Sequence, residues 1–409
     1  MKTWITTAEA ARRLGVKPAT VYAYVSRGVL RRRTDEDGRR SLFDAAQVEE
    51  LARGGRPRRP PAPAELVIES SITALRDGRP FYRGRDALQL AGSWSFEQAA
   101  LWLWNEGTDD AGPWPAVPDA LPPAVAAQSG LPAGTLPRER LQVITAALAV
   151  TDPLRHIAGR AAAIMTGQRL ITAMLDCLPA VGPCPGQRIE ERLWRALCPA
   201  PADPDLLAVL RSALIVLADH ELAASTLAVR IAASTRADPY TAVAAGLAAV
   251  AGPLHGGASL AVERLLDDIG SPADASRVLG DRLRGGERIP GFGHTLYRID
   301  RRGNYLLGRL REIRPEHRLL AIADEMLAVM ERRRLPAPNT DLALAVLTRM
   351  AGMIEGAAEA VFVTARTAGW LAHAFEEYDR GRLLRARAVY IGDLYRTVRW
   401  FPPRCHDRG

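Results

Sequence analysis

Segments rich in alanine, leucine and valine, with apolar residues at helical spacing, follow one another along most of this 409-residue chain. Proline and glycine separate one segment from the next, as they do at helix ends. Strands with alternating apolar and polar residues are nearly absent, apart from a possible hairpin over residues 72–82. The pattern therefore predicts a mainly all-α fold. The clearest helical segments are residues 96–105, 138–151, 160–175, 206–233, 240–251 and 318–332.

The length and composition predict a globular protein with more than one domain. With 48% hydrophobic and 24% charged residues, the chain can bury a large core. Its four cysteines, Cys177, Cys184, Cys198 and Cys405, show neither metal-binding spacing nor a disulfide framework, so we expect a reducing compartment and no metal site. The N-terminus lacks the apolar core of a signal peptide, and no apolar stretch is long enough to span a bilayer. We therefore expect a cytoplasmic protein without membrane contact.

Nearly all of the net positive charge lies at the N-terminal end. Residues 1–63 hold 14 basic and 7 acidic residues, a net charge of +7, whereas the whole chain carries +8. Arginine is preferred over lysine throughout the chain, and we do not read that preference as a nucleic-acid signal. The concentration of charge in one segment is the signal, because a basic patch attracts phosphate.

The N-terminal segment has the pattern of two short helices followed by a basic hairpin. Thr6 or Thr7 can cap a first helix, and Gly15 provides a tight turn after it. Pro18 suits the first turn of a second helix. An arginine-rich segment with an acidic turn at its centre then predicts a hairpin wing, and Asp44 can cap a third helix. Two helices joined by a glycine turn form a helix-turn-helix unit.

This segment, residues 1–53, resembles the N-terminal module of MerR-type and excisionase-type DNA-binding proteins. The resemblance implies that the second helix faces the major groove and that the wing contacts phosphate. The residues that it implicates in DNA contact are Thr20, Tyr22, Tyr24, Arg27 and Arg39. A helical hairpin used for protein contacts is the alternative. Residues 54–64, rich in proline, arginine and glycine, are predicted to form an exposed linker.

Two histidines in glycine-rich settings lie upstream of an aspartate. They are His255 within residues 252–257 and His294 within residues 291–294, followed by Asp341 after Asn339 and Thr340. Glycine lets a ligand approach the backbone closely, and His and Asp can move protons near neutral pH. Two histidines and one carboxylate with no cysteine nearby suit proton abstraction next to a carbonyl better than zinc binding. Taken singly, each residue also fits a helix-connecting turn or a helix cap.

Several further motifs resemble the citrate synthase family. In chain order they are Ser71-Ile72-Thr73, Asp77-Gly78, residues 81–86, Asp219-His220-Glu221, Asp238-Pro239-Tyr240, and residues 252–257, 290–294, 338–341, 365–373 and 385–390. The resemblance covers residues 66–395, with the motifs in the family's order. It implies a citrate synthase fold over residues 65–409, with a large helical domain and a smaller helical subdomain at about 257–350.

The resemblance implies that acetyl-CoA, as co-substrate, condenses with oxaloacetate to give citrate and free CoA, with no permanently bound cofactor. In that reaction Asp341 would be the general base that removes a proton from the thioester methyl group. His255 would stabilise the enolate through a hydrogen bond to the thioester oxygen, which is help of the oxyanion-hole kind. His294 would supply a proton to the oxaloacetate carbonyl as the new bond closes.

Binding of the substrate anions needs fixed cations and hydrogen-bond donors. By motif match, the residues that would hold the carboxylates are His220, Arg302, Arg366 and Arg385. The family's counterpart of Arg385 reaches into the partner subunit's site, which implies a homodimer. The CoA phosphates would lie near Arg284 and Arg288, although such arginines also fit a solvated helix face. His220 on an apolar helix also fits a satisfied core histidine, and His373 is predicted to be structural.

Two departures from the family pattern affect these assignments. Ser259-Leu260 stands where the family usually has an Asn-Glu pair. The segment after His294 is shortened, so Arg298 or Arg301 could take the place of Arg302. The acyl substrate stays open, since 2-methylcitrate synthases share the same catalytic residues, and cleavage of citryl-CoA or citrate uses the same fold. A different class of function is a DNA-binding regulator whose body senses an organic acid or acyl-CoA without turnover.

Overall fold

The computed structural model describes residues 4–16, 18–26, 30–35, 37, 41–53, 68–108, 111–156, 159–252, 255, 258–294 and 299–386. The chain divides between Glu69 and Ser70 into two compact units, called here the head and the body. The predicted linker, residues 54–64, lies outside the described residues. The predicted subdomain at about 257–350 stays a prediction.

The head is a three-helix unit with a small antiparallel sheet. Strand β1 (Trp4–Thr6) leads into helix α1 (Thr7–Leu14), and α2 (Pro18–Ser26), β2 (Arg32–Thr34), β3 (Ser41–Asp44) and α3 (Ala45–Arg53) follow. Strand β3 lies in the centre of the sheet and pairs with both β1 and β2. The pairing of β2 with β3 is the predicted hairpin wing.

Local signals explain where the helices of the head begin and end. Thr6 caps α1 by accepting the N–H of Glu9, and Gly15 ends it in the left-handed conformation at φ 63°. Asp44 accepts the N–H of Ala46 at the start of α3. Each of these caps was predicted from the sequence.

The core of the head corrects one predicted DNA contact. Tyr24 is only 7% exposed and packs with Val21, Leu30 and Phe43. A side chain buried in this core cannot face a DNA groove, so the expectation for Tyr24 was wrong. The helical spacing in α2 turns residue 24 inward with residue 21, whereas Tyr22 lies on the outer face and is 41% exposed. Thr20 is half-buried, and Arg27 and Arg39 lie outside the described residues.

The body begins with the predicted hairpin and continues as a succession of helices. Strands β4 (Thr73–Arg76), β5 (Arg79–Tyr82) and β6 (Arg85–Asp86) form an antiparallel sheet. The helices are α4 (Ala87–Ser93), α5 (Phe96–Leu103), α6 (Leu121–Ala126), α7 (Pro137–Thr151), α8 (Arg160–Asp176), α9 (Ile189–Leu197), α10 (Pro204–Leu217), α11 (Ala224–Ser234), α12 (Pro239–Val250), α13 (Ala258–Asp268), α14 (Pro272–Arg284), α15 (Arg301–Ile313), α16 (Arg318–Arg332), α17 (Thr340–Met350) and α18 (Ala357–Arg380). The mainly all-α prediction is confirmed.

Helix α18 runs through the centre of the body. Nearly all of its residues are buried, including Trp370 and Phe375, and it packs against α10, α11 and α12. A helix buried on nearly every side lies in the interior of the body, and its buried polar residues, such as Arg366 and Glu377, are contacted by groups of the body. Around it, α13 and α15 both pack against α17. Among the described residues, no helix combines the length and the apolar character needed to cross a membrane.

One predicted helix is two helices in the structure. The periodic segment 206–233 breaks after Leu217 and resumes at Ala224. The turn between α10 and α11 packs against Gly369 of α18, whose N–H donates to the carbonyl of Ala218 at 3.1 Å. Tertiary contacts therefore override the local helical pattern here, and they place His220 in a turn instead of on a helix face.

Candidate active site

The turn that carries His220 is held from two sides. The hydroxyl of Tyr82 donates to the carbonyl of Ile215 at 3.0 Å and accepts the N–H of Asp219 at 3.2 Å. On the other side, a methyl group added to Gly369 would collide with the carbonyl of Ala218 and the side chain of Asp219. Only glycine allows this close approach of α18. His220 is thereby fixed in a buried position, 5% exposed.

Hydrogen bonds join residues 291–294 to the segment before α17. Gly291 has φ 82°, and a side chain there would press on Val262 and Leu342. The N–H of Asn339 donates to the carbonyl of Gly291 at 3.0 Å, and its side-chain amide donates to the carbonyl of Gly293 at 2.9 Å. Asn339 also caps α17 by accepting the N–H of Asp341 at 3.0 Å. One asparagine thus ties the His294 loop to the helix that carries Asp341.

His220 and His294 form a close pair. Their ring centroids are 5.0 Å apart, with the planes tilted by 60°. Burial, followed by the positive charge of Arg302, lowers the pKa of both imidazoles, and that of His220 falls well below its ordinary 6.5. Both rings are therefore neutral at pH 7, where they can donate and accept hydrogen bonds.

Arg302 is the arginine that the structure brings to the histidine pair. It is 2% exposed at the start of α15, and its Nε and Nη2 atoms both donate to the carboxylate of Asp300 at 2.9 Å. Burial opposes ionisation of Asp300, but Arg302 outweighs it and the pKa of Asp300 is lowered. Arg301 is exposed and donates to the carbonyl of Asp77 in the hairpin, whereas Arg298 lies outside the described residues.

Asp341 lies in the first turn of α17, partly exposed. Its Oδ1 accepts a hydrogen bond from the hydroxyl of Ser259 at 2.5 Å. Desolvation by the surrounding protein raises the pKa of Asp341 above its ordinary 3.8, while Ser259 and the charge of Arg302 act in the opposite direction. A carboxylate with a raised pKa is a stronger base than an exposed one.

The contacts of His255 determine which ring nitrogen carries the proton. Nε2 lies 2.8 Å from the hydroxyl of Ser225 and 3.4 Å from the N–H of the same residue, at the N-terminus of α11. A backbone N–H can only donate, so Nε2 is an acceptor and Nδ1 bears the proton of the neutral ring. The indole N–H of Trp370 donates to the Ser225 hydroxyl at 3.3 Å, which turns that hydroxyl toward His255. Burial, then Arg366, lowers the pKa of His255.

Arg366 joins these groups from α18. It is 1% exposed, its Nε donates to the carbonyl of Leu217 at 3.0 Å, and its guanidinium lies 4.9 Å from the ring centre of Phe362. The same ring makes an edge contact with His255 at 6.3 Å. After burial, the positive charge of Arg366 contributes to lowering the pKa of His220, His255 and His294.

A buried network of charged residues contacts the turn that carries His220. Arg230 of α11 is fully buried; its Nη1 donates to Nδ1 of His373 at 2.6 Å and to Glu376 at 2.7 Å, and its Nη2 pairs with Glu377. Because arginine cannot accept, His373 must carry its proton on Nε2, which faces the carboxylate of Asp219 at 3.3 Å. This contact explains the structural role expected of His373.

The other predicted site residues are not part of this group. Arg385 follows α18 and is exposed. Arg284 is exposed and pairs with Asp281 one turn earlier, and Arg288 is exposed in the segment after α14. Ion pairing of Arg284 on its own helix fits the solvated-face alternative as well as it fits a phosphate contact. The roles of these three arginines stay predictions.

The cavity found elsewhere in the body does not contain the candidate catalytic residues. It has a volume of about 380 Å³ and lies where the N-terminal part of α8 meets the α11–α12 turn and the end of α18. Arg155, Arg236 and Tyr378 are among its lining residues. None of the candidate histidines, Asp341 and the two buried arginines lines this cavity.

Comparison with family models and known proteins identifies the family of this chain. The model of the citrate synthase C-terminal domain matches residues 64–387, and that of a helix-turn-helix domain matches residues 4–56. The chain belongs to the citrate synthase family. Among solved structures, the citrate synthase of Thermotoga maritima MSB8 is 27% identical, has a TM-score of 0.67, and is covered over 98% of its length by 84% of this chain. The resemblance to the family and the N-terminal helix-turn-helix domain are confirmed.

Curated relatives in the citrate synthase family differ in the product that their names give. Citrate synthase 2 of Bacillus subtilis is 33% identical over 219 residues, which are 53% of this chain and 59% of that protein. The 2-methylcitrate synthase 1 of Corynebacterium glutamicum is 35% identical over 189 residues, 45% of this chain and 50% of that protein. The chain thus spans only half to three fifths of these two relatives.

Two functional contacts had no clear signal in the sequence. Ser225 lies in an ordinary helical stretch, and only the packing of α11 brings it to His255. Ser259 was visible as a departure from the family pattern, but its contact with Asp341 depends on how α13 packs against α17.

Proposed function

We propose that this citrate synthase-family protein condenses an acyl-CoA thioester with oxaloacetate and releases CoA, with acetyl-CoA and citrate as the first-choice substrate and product. The observation that carries the proposal is the Asn339 link, which ties the His294 loop to the helix bearing Asp341. This link connects Asp341, a carboxylate with a raised pKa, to His294, a neutral imidazole. The solved ternary complex of carboxymethyl coenzyme A and oxaloacetate with the citrate synthase of Thermoplasma acidophilum, 25% identical to this chain, supports the substrate pair.

The first step is removal of a proton from the carbon next to the thioester carbonyl. Asp341 takes this proton, and the electron pair of the broken C–H bond moves toward the thioester oxygen. His255 donates its Nδ1–H to that oxygen, because Nε2 is already held by Ser225. In a site with little water, this hydrogen bond from a neutral imidazole stabilises the negative charge of the enolate as that charge forms.

The enolate carbon then attacks the keto carbon of oxaloacetate. His294 donates to the keto oxygen and supplies the proton as the carbon–carbon bond forms. Arg302, Arg366 and His220 hold the carboxylates of oxaloacetate, which buried guanidinium groups suit because their planar fork binds two oxygens. Water finally hydrolyses the thioester to give the free tricarboxylate and CoA. Positioning of two substrates in one closed site contributes much of the rate.

The assembly and location of the protein are part of the same proposal. We propose a cytoplasmic homodimer in which Arg385 completes the partner subunit's site, with the CoA phosphates near Arg284 and Arg288. Exposure of Arg385 after α18 agrees with a residue that reaches outward. With acetyl-CoA, the reaction would be the entry step of the tricarboxylic acid cycle.

CoA release from the purified full-length protein tests the reaction. Oxaloacetate is supplied with acetyl-CoA or with propionyl-CoA, and free thiol is measured over time. Turnover with acetyl-CoA supports the citrate product, whereas preference for propionyl-CoA supports 2-methylcitrate. Incubation of citrate or citryl-CoA in the reverse direction tests the lyase alternative. Absence of turnover with every substrate would refute the proposal and favour a sensor body.

The helix-turn-helix match favours a second function for the head, which is DNA binding. Arg31, Arg32 and Arg33 are exposed at the start of the wing, and Tyr22 is exposed on α2. Arg12 and Arg13, in contrast, are paired with Glu9 on α1. Arg31, Arg32 and Arg33 therefore place exposed positive charge on the wing. Fluorescence anisotropy with upstream DNA at low salt tests this function, and the absence of salt-sensitive binding would leave the protein-contact alternative.

A further inference from the structure

Ser259 makes the direct side-chain contact with the base of the reaction. Its hydroxyl lies 2.5 Å from Oδ1 of Asp341, and its side chain is 1% exposed. A carboxylate offers only acceptors, so the serine hydroxyl must donate when Asp341 is ionised. Bonds from a hydroxyl to a charged oxygen are short and strong, which fits the observed distance.

The packing of two helices holds this contact in place. Ser259 lies in the first turn of α13 and Asp341 in the first turn of α17, so the two N-termini lie side by side. Further along the same helices, the hydroxyl of Thr348 donates to Glu263 at 3.0 Å. Glu263 also accepts the N–H of Gly356 at 2.9 Å, which joins the pair to the start of α18. These contacts hold the N-terminal turns of α13 and α17 next to each other.

We propose that Ser259 is a positioning residue that binds Oδ1 of the Asp341 base and so directs the substrate proton to Oδ2. This inference rests on the proposed condensation reaction. The serine stands where the citrate synthase family pattern usually has asparagine. Because the hydroxyl favours the charged carboxylate, it also counteracts desolvation and keeps Asp341 ionised at lower pH.

Other charged groups act on Asp341 and must stay unchanged in the test. Arg302 favours the carboxylate and Asp300 opposes it, and these two groups are bound to each other. Asn339 donates its side-chain amide to the carbonyl of Gly293 and accepts the backbone N–H of Asp341. Replacement of Ser259 leaves all three in place.

The pH dependence of kcat/KM for the acyl-CoA, at saturating oxaloacetate, tests the proposal in the full-length protein. Ser259→Ala is expected to move the acid limb to higher pH by about one unit, because it removes a hydrogen bond to the charged form, and to lower the plateau about tenfold. Ser259→Thr, which keeps the hydroxyl, is expected to restore the wild-type limb. Ser212→Ala is the matched control, since Ser212 is a buried helical serine that donates only to backbone carbonyls.

A second readout does not depend on turnover. The protein is labelled at the carboxyl carbon of aspartate, and the NMR resonance that disappears in Asp341→Asn belongs to Asp341. The titration midpoint of this resonance is expected at higher pH in Ser259→Ala. If Ser259→Ala does not fold, Ser259→Cys, a weaker donor of similar size, is expected to shift the midpoint in the same direction. An unchanged acid limb together with an unchanged midpoint would overturn the proposal. Absence of turnover in the wild type would instead refute the reaction, while the titration still tests Ser259.

Discussion

Replacement of Arg230 by methionine tests how much the buried charge network contributes to the stability of the body. Methionine keeps most of the apolar stem but removes the cation, so Glu377, also fully buried, loses its ion pair with Arg230 and keeps the one with Arg380 at 3.4 Å. His373 and Glu376 lose their hydrogen bonds to Nη1 at the same time. Removal of one partner from a buried ion pair costs about 3–5 kcal/mol. We expect Arg230→Met to lower the free energy of unfolding by that amount.

The network also predicts how stability depends on pH. Burial alone would raise the pKa of Glu376, but the N–H of Ser71 and the guanidinium of Arg230 lower it to about 2 from an ordinary 4.5. A depressed folded pKa contributes stability that is present above pH 4.5 and is lost as the pH falls toward 2. In Arg230→Met this acid-dependent loss is expected to become smaller, because Glu376 no longer has the charge that lowers its pKa.

Urea unfolding followed by circular dichroism, at one protein concentration and at several pH values, measures both effects. Arg264→Met is the control: Arg264 and its partner Glu355 are 64% and 54% exposed, so the loss should stay below about 1 kcal/mol. Glu377→Gln added to Arg230→Met should recover part of the stability, since it removes the buried charge that has lost its pair with Arg230. A cost for Arg230→Met no larger than that of the control would refute the reasoning.

Three further changes test the site, the assembly and the head. Asp341→Asn is expected to lower turnover by at least about 100-fold with oxaloacetate binding retained, and near-normal turnover would exclude Asp341 as the base. Because the pKa of Asp341 is raised in the folded protein, the same substitution should also increase the free energy of unfolding at pH 7. Arg385→Ala and His255→Ala should each inactivate alone, yet mixed dimers should regain activity, because one site then holds both intact residues; no recovery in verified heterodimers would place Arg385 outside the partner's site. Deletion of residues 1–63 should abolish salt-sensitive DNA binding and leave CoA release largely intact, since the proposed catalytic residues all lie in the body; DNA binding by the deleted protein would contradict the assignment to the head.

Local signals made much of the secondary structure predictable. The caps at Thr6 and Asp44, the glycine at residue 15 and the proline at residue 18 all act within a few residues of their own position in the chain. Helical periodicity in the body likewise predicted α7, α8 and α16 nearly to their bounds. Such signals are readable because a capping side chain and the N–H that it binds are neighbours in sequence.

Features that depend on tertiary packing were predicted less well from the sequence. Periodicity extended one helix across residues 206–233, because nothing local opposes it, and only the approach of Gly369 shows the break at the His220 turn. The resemblance to DNA-binding modules predicted a DNA contact for Tyr24, whereas packing buries its side chain in the core of the head. The choice of Arg302 over Arg301 likewise depended on which guanidinium lies next to the histidine pair.

The sequence by itself determined the family, the helix-turn-helix head and the identity of the candidate catalytic residues, since these are carried by motifs of adjacent residues. The tertiary structure decided which partners set their chemistry: Ser225 selects the tautomer of His255, and Ser259 binds Asp341 across 82 positions of the chain. A proton's location depends on the donors and charges within a few ångströms of it. Those neighbours come from helices distant in sequence, so only the packing of α11, α13, α17 and α18 brings them together.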